Sequence, residues 1–293
     1  MLLQIFTIIA PVLLIALVGY VWERRRLPFD TNMVSYLVSY IGSPCLLLHT
    51  LMANRIDLAV MARIVGSATL ACFLMGLVGF AIVRVLKLPH RVYMPALMFP
   101  NAGNMGLPLC LFAFGNTGLA MAVAFFATMS ALQFSVGESI ASGRLSLRHM
   151  LTTPSILAII VAGFLMGFDV NLPAFIDNTL GVLGNLMIPL MLMSLGTSLA
   201  KLQVTGLQRS LSFSVLRLAG GFVIAVTISW LLGLEGAARG TVIIQSTMPV
   251  AVFNYMFALR YGNRPEEVAA MVFLSTILSF AALPFLMAFV LSL

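Results

Sequence analysis

Polar residues and helix-breaking residues stand together in two stretches that are otherwise apolar. Residues 99–108 read Phe-Pro-Asn-Ala-Gly-Asn-Met-Gly-Leu-Pro, and residues 245–254 read Gln-Ser-Thr-Met-Pro-Val-Ala-Val-Phe-Asn. Proline cannot donate a backbone hydrogen bond and glycine weakens a helix, so both stretches predict an interrupted helix. The side-chain amides offer donors and acceptors to a solute. The predicted substrate-binding residues are Pro100, Asn101, Gly103, Asn104, Gln245, Ser246, Thr247, Pro249 and Asn254.

Three ionisable side chains also fall inside apolar segments, where a charge is costly and is a functional hypothesis by default. Glu138 follows Gln133 and Ser135, and it would bind a coupling proton or sodium ion, or form a surface salt bridge. Arg217 would pair with Glu138, attract a substrate carboxylate, or extend its long side chain to the membrane interface. His49 is either a titrating group or a hydrogen-bonded residue in helix packing.

The elements that carry these residues are apolar enough to lie in a membrane. Of 293 residues, 61% are hydrophobic and 9% are charged, whereas soluble domains contain about 25% charged residues. One bilayer crossing takes about 20 apolar residues, so this length predicts an all-α integral membrane protein of about ten transmembrane helices. The predicted spans are 4–22, 31–53, 58–84, 91–115, 117–141, 154–168, 173–199, 209–232, 237–261 and 266–291.

Details of three segments sharpen this interpretation. The sixth span is short, and we expect it to continue past Asp169 towards Leu172. The first span lacks a basic n-region and a small-residue cleavage site, which predicts a retained helix rather than a signal peptide. Cys45, Cys72 and Cys110 lie far apart in apolar segments, which favours core positions over a metal site or disulfide framework. No cofactor and no metal site is expected.

The distribution of Lys and Arg predicts the orientation of the chain. Twelve of them fall in the odd-numbered connections and three in the even-numbered ones. Since positive residues favour the cytoplasmic side, the odd connections are expected inside and both termini outside. The scattered basic residues form no continuous face for nucleic acid.

Matched landmarks predict an internal repeat. Pro28 and Pro44 are sixteen residues apart in the first half, as are Pro173 and Pro189 in the second. Further pairs in the same order are Arg91 with Arg239, Pro100 with Pro249, Asn104 with Asn254, and Gly115-Asn116 with Gly262-Asn263. Five spans per copy is an odd number, so the second copy enters from the opposite face. The expected units are residues 1–141, a cytoplasmic connector at 142–153, and residues 154–293.

Two broken helices that enter from opposite faces would cross near the midplane of the membrane. The N-terminal ends of the half-helices carry partial positive charge there and would attract an anion. The alternative is a pair of proline kinks that neighbouring helices seal. A kink alone leaves the amides of Asn101, Asn104, Gln245 and Asn254 at lipid depth without an explanation.

The run from Pro100 to Pro108 resembles the fourth-helix motif of the auxin efflux carrier family, whose bacterial members include malonate and malate carriers. This family is related in fold to bile acid sodium symporters. The resemblance covers the whole chain. It implies a scaffold of helices 1, 2, 6 and 7, a moving transport domain of helices 3–5 and 8–10, and a homodimer.

The resemblance also assigns residues and limits the substrate. It implies that Pro100, Asn101, Asn104 and Pro249 mark a crossover of the fourth and ninth helices. Asn254 follows its proline at a spacing one residue longer than Asn104 does. The connector at 142–153 lacks the long hydrophilic loop of many plant members, so auxin itself is not implied.

Several function classes remain to be weighed. The leading expectation is gradient-driven, elevator-type transport of a small mono- or dicarboxylate, auxin-like or malonate/malate-like, across a bacterial inner membrane. The alternatives are a sodium-coupled symporter of the bile acid type and a membrane sensor that no longer transports. A cation/proton antiporter would need an acidic residue in a broken span, and neither span has one. An intramembrane enzyme is not expected, because Asp169 and Asp177 flank an external turn and no catalytic motif appears.

Overall fold

The fold is known from a computed structural model that describes residues 2–54, 57–144, 154–168, 170–202 and 207–293. Within these residues the regular elements are fourteen α-helices and three π-helical turns. The α-helices of the first half are α1 (Leu2–Arg24), α2 (Thr31–Leu37), α3 (Ser43–Asn54), α4 (Leu58–Val85), α5 (His90–Met98), α6 (Leu107–Leu132) and α7 (Glu138–Ser142). Those of the second half are α8 (Pro154–Gly167), α9 (Ala174–Asn185), α10 (Met187–Lys201), α11 (Leu207–Leu231), α12 (Gly236–Thr247), α13 (Val252–Tyr261) and α14 (Pro265–Leu291). The π turns are π1 (Val38–Gly42), π2 (Ala102–Gly106) and π3 (Gln133–Gly137).

Helices of this composition suit a membrane. By length and apolar composition, seven helical stretches of the described chain could cross a bilayer. They are Leu3–Arg24, Met33–Ala53, Ala59–Val85, Ala102–Ser142, Ala174–Lys201, Gln208–Leu231 and Pro265–Leu291. Their outward faces carry large exposed apolar side chains, such as Phe73 on α4 and Val182 on α9, which are 60% and 73% exposed. Lipid tails are the solvent in which such faces are stable.

Prolines distort three of these helices, at positions just before the proline. The turn π1 precedes Pro44, π2 precedes Pro108, and a single turn residue at Leu186 separates α9 from α10 before Pro189. The proline ring clashes with the carbonyl four residues earlier, and proline has no N–H to donate to that carbonyl, so the helix widens or bends there. The interruptions expected from Pro44 and Pro189 are therefore seen as local distortions.

Two other boundaries differ from or refine the sequence expectations. The helix α8 ends at Gly167 and residues 170–173 are not helical, so the predicted extension towards Leu172 is wrong; Asp169 lies outside the described residues. The helix α6 runs through the predicted boundary between the fourth and fifth spans. Gly115 marks that boundary inside α6, with a left-handed φ of +64° that glycine adopts without strain.

The helices pack as two groups. The first helix group contains α1–α3 with π1 and α8–α10, and the second helix group contains α4–α7 with π2 and π3 and α11–α14. In the first group, Gly19 and Gly196 let α1 and α10 approach closely. A side chain at either position would collide with the backbone of the facing helix. The pairs His49–Asp177 and Lys201–Glu23 join members of the first group. Tyr93–Glu267 and Glu138–Tyr261 join members of the second.

Candidate functional site

Two helix breaks in the second group meet and pair through their backbones. The helix α5 ends at Met98, and α12 ends at Thr247 before α13 begins at Val252. Pro100 and Val250 form an antiparallel bridge. The Asn101 N–H donates to the Pro249 carbonyl at 2.7 Å, and the Ala251 N–H donates to the Phe99 carbonyl at 3.1 Å. Each proline interrupts its helix, and the pairing satisfies backbone groups that would otherwise be buried without partners.

A neutral amide network fastens the first break. The Asn254 Nδ2 donates to the Phe99 carbonyl at 3.2 Å, and its Oδ1 accepts from Gln133 Nε2 at 3.0 Å. Asn254 is 2% exposed, so both its amide atoms are used inside the protein. The Val250 N–H of the second break donates to Ser275 Oγ at 3.0 Å. Gln133, Ser275 and Asn254 therefore hold the two breaks in register.

A charged side chain fastens the second break. The Arg217 Nη2 donates to the Ser246 carbonyl, near the end of α12, at 2.7 Å. Arg217 is 2% exposed, so its extension to the membrane interface is wrong, and the expected pairing with Glu138 is not formed. Gly221, one turn along α11, makes room for this contact because a Cβ there would collide with the Ser246 oxygen. The close approach of α12 to α11 places the arginine.

The other predicted ionisable groups have partners elsewhere. Glu138 accepts from Tyr261 Oη at 2.6 Å and from Arg260 Nη1 at 3.3 Å, and the Arg260 side chain is 70% exposed. This is the surface ion pair that the sequence allowed as one alternative. His49 Nδ1 lies 2.8 Å from Asp177 Oδ1, which joins α3 to α9 and agrees with a hydrogen-bonded packing role.

An open cleft lies between the two helix groups beside the first break. Polar side chains from both groups face it, within a mostly apolar wall. The lining residues are Thr31, Val34, Ser35, Val38, Asn104, Met191, Ser194, Ser198, Val252, Phe253 and Met256. Asn104 lies on the second group, whereas Ser194 and Ser198 lie on α10 of the first group. The cleft therefore combines hydrogen-bonding side chains from both groups with a mostly apolar wall, a composition typical of small-molecule sites.

Among the predicted site residues, Asn104 is the one that lines this cleft. The other eight are buried in the packing around the breaks; they are Pro100, Asn101, Gly103, Gln245, Ser246, Thr247, Pro249 and Asn254. Gln245 Nε2, for example, donates to the Ala122 carbonyl at 3.3 Å. Gly103 has no room for a side chain because Met191 and Phe126 pack against it. These residues shape the site more than they face it.

The serines and threonine of the cleft were missed from the sequence. Thr31 and Ser35 are four residues apart on α2, and Ser194 and Ser198 are four residues apart on α10. Residues at this spacing share one face of a helix. Two such polar pairs in apolar spans, each beside a proline-distorted segment, are a signal that could have identified them.

The cleft wall contains polar side chains and the start of one helix. The first turn of α13 contributes Val252 and Phe253 to the wall, and the N-terminal N–H groups of a helix carry partial positive charge. None of the described residues that line the cleft is acidic. In the described part of the chain, no group of three or more His, Cys, Asp or Glu residues could hold a metal ion.

These features define a helical, multi-pass integral membrane protein. A sequence model of the family described as "Membrane transport protein" matches residues 4–141 and 138–287, so the chain belongs to that family, and the membership inferred from the Pro100–Pro108 run is confirmed. The chain is 28% identical over 289 residues to an uncharacterized transporter of Methanocaldococcus jannaschii, covering 92% of this chain and 93% of that one. It is 31% identical over 198 residues, 63% of each chain, to an uncharacterized transporter of Methanothermobacter thermautotrophicus.

Proposed function

We propose that the protein is a secondary transporter that carries a small organic anion, a mono- or dicarboxylate, through the cleft between its two helix groups. The observation that carries this proposal is the position of the cleft. Asn104 of the second group and Ser194 and Ser198 of the first group line it together. A solute held there contacts both groups, and any relative movement of the groups changes its access to the two sides of the membrane.

The chemistry of the wall supports a carboxylate with a short apolar part. The Asn104 amide and the two serine hydroxyls can donate to carboxylate oxygens. Val34, Met191 and Val252 supply aliphatic surface around them. An amino acid or sugar would need more polar partners than this wall provides. Malonate, malate and an auxin-like indole acid each combine a carboxylate with apolar carbon.

Movement of the second group against the first is the proposed transport step, an elevator-type alternating access. In each of the ion pairs described above, and in each hydrogen bond between side chains far apart in the sequence, both partners belong to the same helix group. By contrast, Gly103 meets Met191 across the boundary through small and flexible apolar groups. Apolar surfaces of this kind can slide without breaking strong polar contacts.

The topology proposed with this mechanism has ten crossings in two inverted five-helix repeats, residues 1–141 and 154–293 joined by a connector at 142–153. The broken fourth and ninth helices cross within the second group. Both termini lie outside the cytoplasm, the membrane is a bacterial inner membrane, and a homodimer forms through the first group. The Lys and Arg distribution supports the orientation.

Counterflow in proteoliposomes tests the proposal. Vesicles loaded with unlabelled malonate, malate or indole-3-acetate should take up the same labelled compound, and imposed pH, sodium and voltage gradients identify the coupling. Asn104→Ala should reduce uptake at least about tenfold, because a hydrogen bond to a charged group is lost. Asn116→Ala is the matched control, because Asn116 is exposed and outside the cleft.

The outcomes also separate the alternative functions. Uptake that requires sodium would favour the symporter alternative, and binding without counterflow would favour the sensor. Equal uptake by the Asn104→Ala and Asn116→Ala variants would contradict the assignment of the cleft.

A further inference from the structure

Arg217 is buried without an acidic partner. It is the one charged residue of the described chain that is buried, at 2% exposed. The ion pairs formed by the described residues involve other groups, and no described carboxylate pairs with Arg217. Its Nη2 bonds the Ser246 carbonyl, and its Nε has no hydrogen-bond partner. Burying a charge without a compensating partner is strongly unfavourable, so this arginine calls for a functional explanation.

The position of Arg217 is electrostatically special, because four helix ends meet at the paired breaks. The ends of α5 and α12 point carbonyl groups at the breaks, and the starts of π2 and α13 point N–H groups at them. A helix end carries about half a unit of charge, negative at the carbonyl end and positive at the N–H end. Two negative and two positive ends largely cancel, so the breaks alone give little preference for an anion over a cation.

The two carbonyl ends are capped differently. The Phe99 carbonyl after α5 accepts from the neutral amide of Asn254, whereas the Ser246 carbonyl of α12 accepts from the guanidinium of Arg217. A cation at the carbonyl end of a helix offsets the partial negative charge there and leaves a positive excess. Arg217 therefore adds a net positive charge to a region in which the helix ends otherwise balance.

The matching position in the first half carries no charge. Arg217 lies four residues before Gly221, which faces Ser246 at the end of α12; Cys72 lies four residues before Gly76, which faces Met98 at the end of α5. Cys72 lies on α4, which packs against the α11 helix that carries Arg217. The proposed repeat thus places a thiol and a guanidinium at equivalent positions, and the asymmetry between the halves is one charge.

We propose that Arg217 is the specificity-determining charge of the transporter, which acts through the capped end of α12 to make the neighbouring cleft selective for anions. Arg217 does not line the cleft, so it is a positioning residue and does not touch the solute. The inference rests on the proposed function for the identity of the cleft, and it deepens that function by naming the source of anion selectivity.

Charged thiol reagents measure the potential of the cleft without any need for a transported substrate. In the full chain with Cys45, Cys72 and Cys110 replaced by Ser, Ser194→Cys places a thiol in the cleft wall. The purified protein in detergent is modified with anionic sulfonatoethyl and cationic trimethylammonioethyl methanethiosulfonate. The ratio of the two rates, anionic over cationic, should fall about tenfold in Arg217→Gln and recover in Arg217→Lys. Thr179→Cys, exposed on α9, is the control position and its ratio should not change.

A second pair of variants keeps the test decisive if Arg217→Gln does not fold. Cys72→Asp places a carboxylate on the helix that packs against Arg217, so it should lower the anionic-to-cationic rate ratio at Ser194→Cys, as Arg217→Gln would. Cys72→Asn, which has the shape of the Asp variant without its charge, should leave this ratio unchanged. A merely structural role of Arg217 would change both reagent rates together and leave their ratio constant. An unchanged ratio in Arg217→Gln or, if that variant does not fold, in Cys72→Asp overturns the proposal.

Uptake measurements separate this inference from the proposed function. Wild-type vesicles that accumulate labelled malonate but not uncharged malonamide agree with both. Arg217→Gln should then reduce the preference for malonate over malonamide about tenfold, and Arg217→Lys should restore it. If the wild type moves no carboxylate, the proposed function fails while the reagent ratio still decides the role of the charge. If malonate moves with an unchanged preference in Arg217→Gln, only the inference fails.

Discussion

The two helix breaks are paired through the same backbone bonds, but they present different groups to the cleft and are held by different chemistry. The first break continues into π2, which carries the Asn104 amide to the cleft, and an amide network fastens it. The second break continues directly into α13, which contributes apolar side chains and helix N–H groups, and a guanidinium fastens it. In the proposed function, the first break therefore supplies side-chain recognition and the second supplies an electrostatic preference for anions.

This difference shows how two breaks with similar backbone pairing can present different chemistry. Prolines at both breaks expose backbone groups, and mutual pairing of the breaks satisfies many of them. The remaining carbonyls can then be capped by whatever the neighbouring helices offer. An amide caps the carbonyl end at the first break and a cation caps the one at the second. The paired breaks therefore carry an asymmetric charge distribution although their backbone pairing is shared.

The largest effect should come from closing the space at the second break. In Gly221→Ala the new Cβ would overlap the Ser246 carbonyl oxygen, which is backbone and cannot move aside cheaply. We expect the free energy of unfolding in mixed SDS micelles to fall by about 3 kcal/mol. Gly66→Ala is the matched control, since Gly66 is helical with nothing within 4 Å of a Cβ, and it should be stabilised by about 0.5–1 kcal/mol. A Gly221→Ala protein as stable as the Gly66→Ala protein would show that α12 does not depend on this close approach.

A smaller effect should follow from opening the amide network of the first break. Asn254→Ala leaves the buried Gln133 Nε2 and the Phe99 carbonyl without this partner, so we expect a loss of about 2 kcal/mol in unfolding free energy. The double variant with Gln133→Ala should lose less than the sum of the two single losses by about 1 kcal/mol. Asn104→Ala should change stability by less than about 0.5 kcal/mol, because this side chain faces the cleft. Additive losses for Asn254 and Gln133 would contradict the network.

The smallest effect should come from the single bond between α14 and the second break. Ser275→Ala removes the acceptor of the Val250 N–H and should cost about 1 kcal/mol, measured as a lower unfolding midpoint. Ser279→Ala, one turn further along α14, tests the same substitution at a buried serine that does not bond to Val250. The Ser275 variant should be the less stable of the two, and the reverse order would contradict a role for α14 in holding the break.

Much of the fold follows from local sequence. The bounds of α4, α11 and α14 lie within two residues of the spans predicted from apolar runs, because a bilayer-length helix needs only an uninterrupted apolar segment. The breaks near Pro100 and Pro249 also follow locally, since a missing N–H acts on its own helix. The predicted extension of the sixth span was wrong because it rested on the length that a full crossing needs, and that length does not show that the backbone leaves the helix after Gly167.

The site could be predicted less well, for reasons that concern distance along the chain. Amide and hydroxyl groups near the breaks were all reasonable candidates, but the sequence does not say which of them neighbouring helices consume. Asn254 and Gln245 bond Phe99 and Ala122, more than a hundred residues away, and so do not face the cleft. Ser194 and Ser198 reach the cleft because α10 packs against π2, a contact between opposite halves of the chain.

The sequence by itself determined that this protein is a chain of apolar helices with two proline breaks, because each of those features depends on neighbouring residues alone. Tertiary structure decided what the polar residues at those breaks do. Asn104 is left facing the cleft, and Arg217 is drawn inward because Gly221 admits the end of α12. Hydrogen-bond partners and close approach are properties of pairs of helices, and no single segment specifies them.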